Sequence, residues 1–151
     1  MDDGKRHMKE ITREEAMRLL GSVGLGRVVF TSRALPAIRP VTHLVEDGHV
    51  IIRTDDGTAI VRAASEERGT VVAYEADELD PASHTGWSVV ITGLARLVDN
   101  PQEAAPYEKA LRRPAHGEMG HVIRIYPELV TGFEFVAVEA ADEPSDELSA
   151  P

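Results

Sequence analysis

A chain of 151 residues with 42% apolar residues is long enough to bury the core of one domain and short for two. It holds no cysteine, which excludes disulfides, thiolate catalysis and cysteine-ligated zinc or iron–sulfur sites and suits a reducing cytoplasm. Sixteen Lys and Arg against 26 Asp and Glu give a net charge of -10, which argues against a nucleic-acid partner, because such binding draws on clustered positive charge.

The N-terminal residues 1–10 carry no apolar segment of the kind a signal peptide needs and read as a flexible end. Thr12 and Glu15 form a capping box, followed by Ala16, Leu19, Leu20 and Val23 at the spacing of one helix face. Gly21 and Gly24 stop that helix, and Arg27 to Thr31 reads as a strand. Pro36 marks a turn before a second extended run, Ala37 to Glu46. Asp47-Gly48 is a strong hairpin signal leading into His49 to Thr54.

A short alanine-rich helix is expected from about Thr58 to Glu66, then a strand from Thr70 to Ala76 and a loop from Asp80 to Gly86. From Trp87 to Val98 the residues alternate, with Trp87, Val89, Ile91, Gly93, Ala95 and Leu97 on one face. Asn100-Pro101 starts a helix that ends before Pro114. His121 to Tyr126 and Leu129 to Val138 read as two strands separated by Pro127. Residues 139–151, rich in Asp, Glu and Pro, read as an acidic disordered tail. Six or seven strands joined mostly by short connections favour an antiparallel barrel with a few short helices over a doubly wound parallel sheet. No apolar run approaches the roughly 18 residues of a membrane span, so neither membrane nor nucleic acid is an expected partner.

The glycines Gly21, Gly24 and Gly26 follow a helix and precede a strand, the reverse of the order a dinucleotide loop requires. A better anion site runs from Arg53 and Thr54 through Gly57 to Thr58: strand, glycine turn, helix start. Free N–H groups there, with Arg53, Thr54, Thr58 and Arg62 nearby, suit a phosphate. The plainer alternative makes Arg53 an exposed strand residue and Thr58 an ordinary N-cap. The six histidines form no metal-ligand pair, and no Gly-x-Ser-x-Gly elbow is present.

The succession of helix, Gly26-Arg27 and strand, then Arg39-Pro40-Val41-Thr42, Asp47-Gly48 and Arg53-Thr54-x-x-Gly57-Thr58, resembles the flavin-binding part of the pyridoxamine 5'-phosphate oxidase-like family. So does Gly86 to Ala95, which is similar to the long barrel strand of its actinobacterial members. The resemblance spans roughly residues 12 to 136. It implies a split β-barrel over residues 11–138, mostly β, and a homodimer with FMN in its clefts.

The same resemblance implies positions for the cofactor. Arg39, Val41, Thr42 and His43 would lie along the flavin ring and ribityl chain; Arg53, Thr54, Gly57 and Thr58 would surround the phosphate, with Arg62 lending charge. Trp87 and Ser88 would approach the cofactor from the partner subunit, although an ordinary core or interface role for Trp87 stays open. Many relatives carry a lysine after the Gly-Thr pair, where this chain has Ala59. A charge-assisted contact of that kind is worth about 1.5–3 kcal/mol, or one to two orders of magnitude in affinity.

These features imply an FMN-dependent oxidoreductase acting on a small molecule, with a deazaflavin coenzyme as the alternative cofactor. They also leave open a non-enzymatic dimer that binds a flavin or a haem-type ligand. No residue stands out as a catalytic acid or base.

Overall fold

The computed structural model describes residues 6–55, 59–111 and 120–137. Gly57, Thr58 and the acidic tail from 139 onward lie outside the described residues, as do residues 1–5. The elements in chain order are β1 (Arg6–Ile11), α1 (Arg13–Gly21), β2 (Leu25–Ser32), β3 (Leu35–Glu46), β4 (His49–Asp55), α2 (Ala59–Ala64), β5 (Thr70–Asp80), β6 (Thr85–Leu97), α3 (Pro101–Ala110) and β7 (Gly120–Ala137).

All strands pair antiparallel in the order β1-β7-β4-β3-β2-β5-β6, and β6 returns to β7. Strands β7, β4, β3, β2, β5 and β6 therefore close a hydrogen-bonded ring, the antiparallel barrel that the strand spacing predicts. Closure removes the unpaired edges that an open sheet leaves exposed.

The local signals explain most of the elements. Thr12 caps α1, its hydroxyl accepting from the Glu15 N–H at 3.1 Å. Asp47 and Gly48 both take positive φ (54° and 76°), the geometry of a two-residue hairpin turn whose twist matches its strands. Asn100 caps α3 through its side-chain oxygen, with Pro101 at the first position.

Three expectations are corrected. The first hairpin turns at Arg33-Ala34, both at positive φ (55° and 65°), and Pro36 sits within β3. Neither Arg33 nor Ala34 carries a turn signature, so nothing local marks that position. Residues 6–10, read as part of a flexible end, form a strand with Ile11. One edge of β7 pairs with β4 only over Gly120 to Ile125, and β1 pairs with the stretch from Gly132 to Ala137. Backbone pairing to a free edge, not apolar patterning, makes that strand.

The third correction concerns Pro127. Instead of separating two strands, it lies inside one 18-residue strand. The ladder with β6 shifts register there, Thr92 facing Leu129 and Gly93 facing Pro127. The extra residue, Glu128, is a bulge that tolerates the missing proline N–H. It also reverses the parity of the strand: Ile123 and Ile125 point inward before it, Val130 and Gly132 after it.

The inner faces supply one core, which includes Val28, Phe30, Ile52, Tyr74, Ile91 and Ile125, and α2 adds Ile60, Val61 and Ala64. A smaller cluster forms outside the ring, where Ala104 and Leu111 pack on Ile51 and Val122. Helix α3 thus covers the outer face of β4 and the start of β7. No helix among the described residues is long and apolar enough to cross a membrane.

Candidate functional site

Successive strand residues face opposite sides of the sheet, so the barrel sorts the expected site residues into two groups. Val41, His43 and Trp87 point inward and are buried in the core, at 8%, 3% and 7% exposure. Their side chains therefore belong to the core, the role left open for Trp87.

The surroundings of His43 show why. Its Nε2 lies 2.9 Å from the Leu20 carbonyl and its Nδ1 lies 2.5 Å from the Tyr74 hydroxyl. A carbonyl only accepts, so Nε2 carries the proton and Nδ1 accepts from Tyr74: the neutral tautomer with both nitrogens satisfied. Burial pushes the imidazole below its ordinary pKa and the Tyr74 phenol above its own. Tyr74 fits there because residue 26 is glycine; a Cβ at that position would lie 2.5 Å from the phenol oxygen. The signal that pairs these two residues is 31 positions apart in the chain and could not be read locally.

Arg39 extends from the same side of β3 at the rim, its guanidinium 5.8 Å above the Phe30 ring, and is exposed. Arg62 is exposed on α2. Among the described residues, the Arg39 guanidinium donates to the Ile38 carbonyl and to none of the remaining candidates.

Arg53 and Thr54, adjacent in sequence, face opposite ways and do not form one clamp. Arg53 points outward beneath α3, 6% exposed, with Nη1 donating to the Glu108 carbonyl at 2.9 Å. The reading of Arg53 as an exposed strand residue is therefore also excluded. Thr54 follows the inward parity of Val50 and Ile52 and is 4% exposed. Beside Arg53, across the ladder, lies Thr42. The hydroxyls of Thr42 and Thr54 are buried and have no hydrogen-bond partner among the described residues. A buried hydroxyl left unpaired is uncommon and asks for a ligand or water.

The row that contains Arg53 and Thr42 continues on the outer face. Thr42 faces Leu25 on β2. Two residues on, Arg27 faces Glu75 of β5, which sets Asp77 near Leu25; Asp77 in turn faces Ser88, and Ser88 faces Phe133. Arg53, Thr42 and Ser88 thus share one outer row. Strands β4 and β6 both pair with β7, which Arg53 meets at Val122 and Ser88 meets at Phe133, so the two stand near opposite ends of that strand.

This outer face is unusually apolar. Leu25 (57% exposed), Ile38, Val71, Val90, Tyr126 and Leu129 (64% exposed) all project from it into solvent. At its centre Arg27 binds two carboxylates, Glu75 at 2.6 Å and Asp77 at 3.3 Å. Desolvation, with Asp77 beside it, pushes the Glu75 carboxyl above its ordinary pKa. Among the described residues no three His, Asp or Glu side chains gather as a metal site.

Comparison with known proteins gives this geometry a lineage. The profile of the pyridoxamine 5'-phosphate oxidase family matches residues 12–140. An uncharacterised protein of Mycobacterium tuberculosis is 53% identical over 134 residues, which cover 87% of this chain and 88% of that protein. The solved structure of an FAD binding protein from Mycobacterium smegmatis is 33% identical, with a TM-score of 0.67 over 85% of this chain and 97% of that one. A Corynebacterium glutamicum protein classed with the pyridoxamine 5'-phosphate oxidases is 31% identical, with a TM-score of 0.70 over 92% of this chain and 99% of that one. The fold is the split barrel of these proteins, and the chain belongs to the pyridoxamine 5'-phosphate oxidase family.

Proposed function

We propose that this chain is a flavin-dependent oxidoreductase of the cytoplasm that works as a homodimer, with the FMN portion of the flavin held at β3 and β4. The observation that carries the reading is the pair formed by Arg53 and Thr42: a buried guanidinium beside a buried hydroxyl with no partner among the described residues, next to the exposed apolar side chain of Leu25. That chemistry fits a flavin nucleotide, with a polar end for phosphate or ribityl oxygens and an apolar face for the ring. The similarity to an FAD binding protein at 33% identity supports the same ligand class.

The barrel supports the dimer. One chain carries Arg53 and Ser88 near opposite ends of β7, so a second copy set against the apolar face would bring its Ser88 to a cofactor held by the first. A bound flavin supplies hydride transfer to or from a small-molecule substrate. The chain's own part is to anchor the nucleotide through Arg53 and Thr42 and to exclude water from the ring with the apolar face. The absorption spectrum of the purified protein tests this: visible flavin bands, present at once or after adding FMN, are expected. A colourless protein that leaves FMN fluorescence unchanged at micromolar concentration would overturn it.

Ala59 favours a second reading, a non-enzymatic flavin-binding dimer, because it places a methyl group where many relatives carry a cation. Bleaching of the bound flavin by a reduced nicotinamide cofactor, with turnover of an acceptor, separates the enzyme from the carrier. Ala59→Lys restores the cation and is expected to tighten FMN by about tenfold or more. An unchanged affinity would place the phosphate elsewhere.

A further inference from the structure

We infer that the Arg27–Glu75–Asp77 cluster links assembly to protons: each chain takes up one proton from solvent at its cluster as two apolar faces meet, so the dimer tightens as pH falls. The inference rests on the reading that a second copy covers the apolar face, and adds to it a means of regulation.

The register builds the cluster. Arg27 of β2 and Glu75 of β5 are direct cross-strand partners, and Asp77 lies two residues on along β5, on the same side of the sheet. The Arg27 guanidinium donates to Glu75 through Nε at 2.8 Å and through Nη2 at 2.6 Å, and Nη2 also reaches Asp77 at 3.3 Å. One cation serves two carboxylates, and one negative charge is left over.

The neighbours do nothing to offset it. Strand β6 faces Glu75 with Val90, β3 faces Arg27 with Pro40, and the adjoining outer positions hold Leu25, Ser88 and Ala73. Tyr74, the residue before Glu75, is buried in the core, and that burial keeps its phenol protonated. Among the described residues, Asp77 and Arg27 are the charged groups that act on Glu75. In the single chain all three side chains keep water: Arg27 is 41% exposed, Glu75 25% and Asp77 36%.

Symmetry turns this arrangement into a switch. A two-fold pair joins through the same patch on both copies, so a cluster at the centre of the face meets its own counterpart. Two surplus negative charges then approach each other and lose their water, and both effects favour the neutral carboxyl. Within one chain, desolvation and Asp77 already push Glu75 above its ordinary pKa, and covering the face acts in the same direction. A protonated Glu75 leaves Arg27 with Asp77 alone and the cluster neutral. Linkage fixes the sign: a group whose pKa is higher in the dimer binds a proton on assembly, so association strengthens as pH falls toward that pKa.

The test is sedimentation of the purified chain over a range of concentrations at pH 7.5, 6.5 and 5.5, in the parent, Glu75→Gln, Asp77→Asn and Glu14→Gln. The parent dimer is expected to bind about tenfold more tightly at pH 5.5 than at pH 7.5, roughly threefold from each of its two clusters. Glu75→Gln and Asp77→Asn each leave one cation with one carboxylate, and are expected to be tight at pH 7.5 and nearly independent of pH. Acid also relaxes the general repulsion between chains of net charge -10. Glu14→Gln removes an exposed carboxylate on α1 and is expected to keep the parent's pH dependence. If dissociation lies below the measurable concentrations, subunit exchange between differently labelled chains gives the same comparison. A parent dimer that is unchanged or weakened by acid, or a pH dependence that survives in both Glu75→Gln and Asp77→Asn, would overturn the inference and leave the dimer standing. A parent that is monomeric at every pH would overturn the dimer reading and this inference with it.

Discussion

The inner and outer faces of this barrel are made from the same strands and obey opposite rules. Inside, the polar groups of His43 and Tyr74 satisfy each other and the Leu20 carbonyl, and the apolar side chains around them are fully covered. Outside, apolar side chains such as Leu25 and Leu129 stand in solvent, and the buried Thr42 hydroxyl has no partner among the described residues. Inside, Thr54 keeps a buried hydroxyl without a partner among the described residues; outside, apolar side chains stand uncovered in the single chain, and that is where function is to be sought.

Substitutions can break the inner half of this contrast first. Gly93→Ala has the largest expected effect, because the new Cβ would meet the Tyr126 carbonyl of β7 at 2.0 Å and push two paired strands apart. A loss of about 3 kcal/mol in denaturant unfolding is expected, the upper part of the range for overpacking. Tyr74→Phe comes next. It leaves Nδ1 of His43 buried without a donor, and about 1–3 kcal/mol should be lost.

The smaller effect at His43 is visible through pH. Its folded pKa is depressed from 6.5 by burial, so the unfolded chain binds the extra proton more readily. Its contribution to stability is therefore fully present above pH 6.5 and is lost as pH falls below that value toward the folded pKa. His43→Gln keeps a donor for Leu20 and an acceptor for Tyr74 but does not titrate. The stability difference between parent and variant should narrow as pH drops from 7.5 to 5.5; a constant difference would contradict the neutral buried tautomer.

An outer-face change should behave differently in kind. Leu129→Glu is expected to change the unfolding free energy of the chain's own fold by no more than about 0.5 kcal/mol, the usual size for an exposed position. It should nevertheless shift sedimentation from a dimer to the 16.5 kDa monomer. A dimer that persists through this change and through Ile38→Glu would remove the apolar face from the interface.

The same contrast explains what could be read from the sequence. The fold was legible where the cause is local: the Thr12 N-cap, the Asp47-Gly48 turn and the alternation from Trp87 to Leu97 all formed as expected, although the Glu15 carboxylate pairs with Arg18 instead of closing the capping box. It was illegible where the cause is tertiary. The bulge at Glu128 carries β7 past Pro127 because β6 stays paired with it on both sides, and β1 exists because part of the β7 edge is otherwise free.

For the candidate site, residue types were legible and directions were not. Arg53 and Thr54 look like one clamp in sequence, yet the pleat points one to α3 and the other to the barrel interior. The register turns the side chains of His43 and Trp87 into the core, the role the sequence had left open for Trp87. The Tyr74 hydroxyl and the Arg27–Glu75–Asp77 cluster carry no sequence motif. Each depends on which residues the ladder sets side by side.

The central claim is that a flavin is bound by two copies of this chain together. Sedimentation of the protein with added FMN, followed by flavin absorbance, measures it directly. The expected result is flavin that moves with a particle of twice the 16.5 kDa chain mass, at one flavin per chain. Flavin that remains with the free nucleotide, or that moves with a single chain, would contradict it.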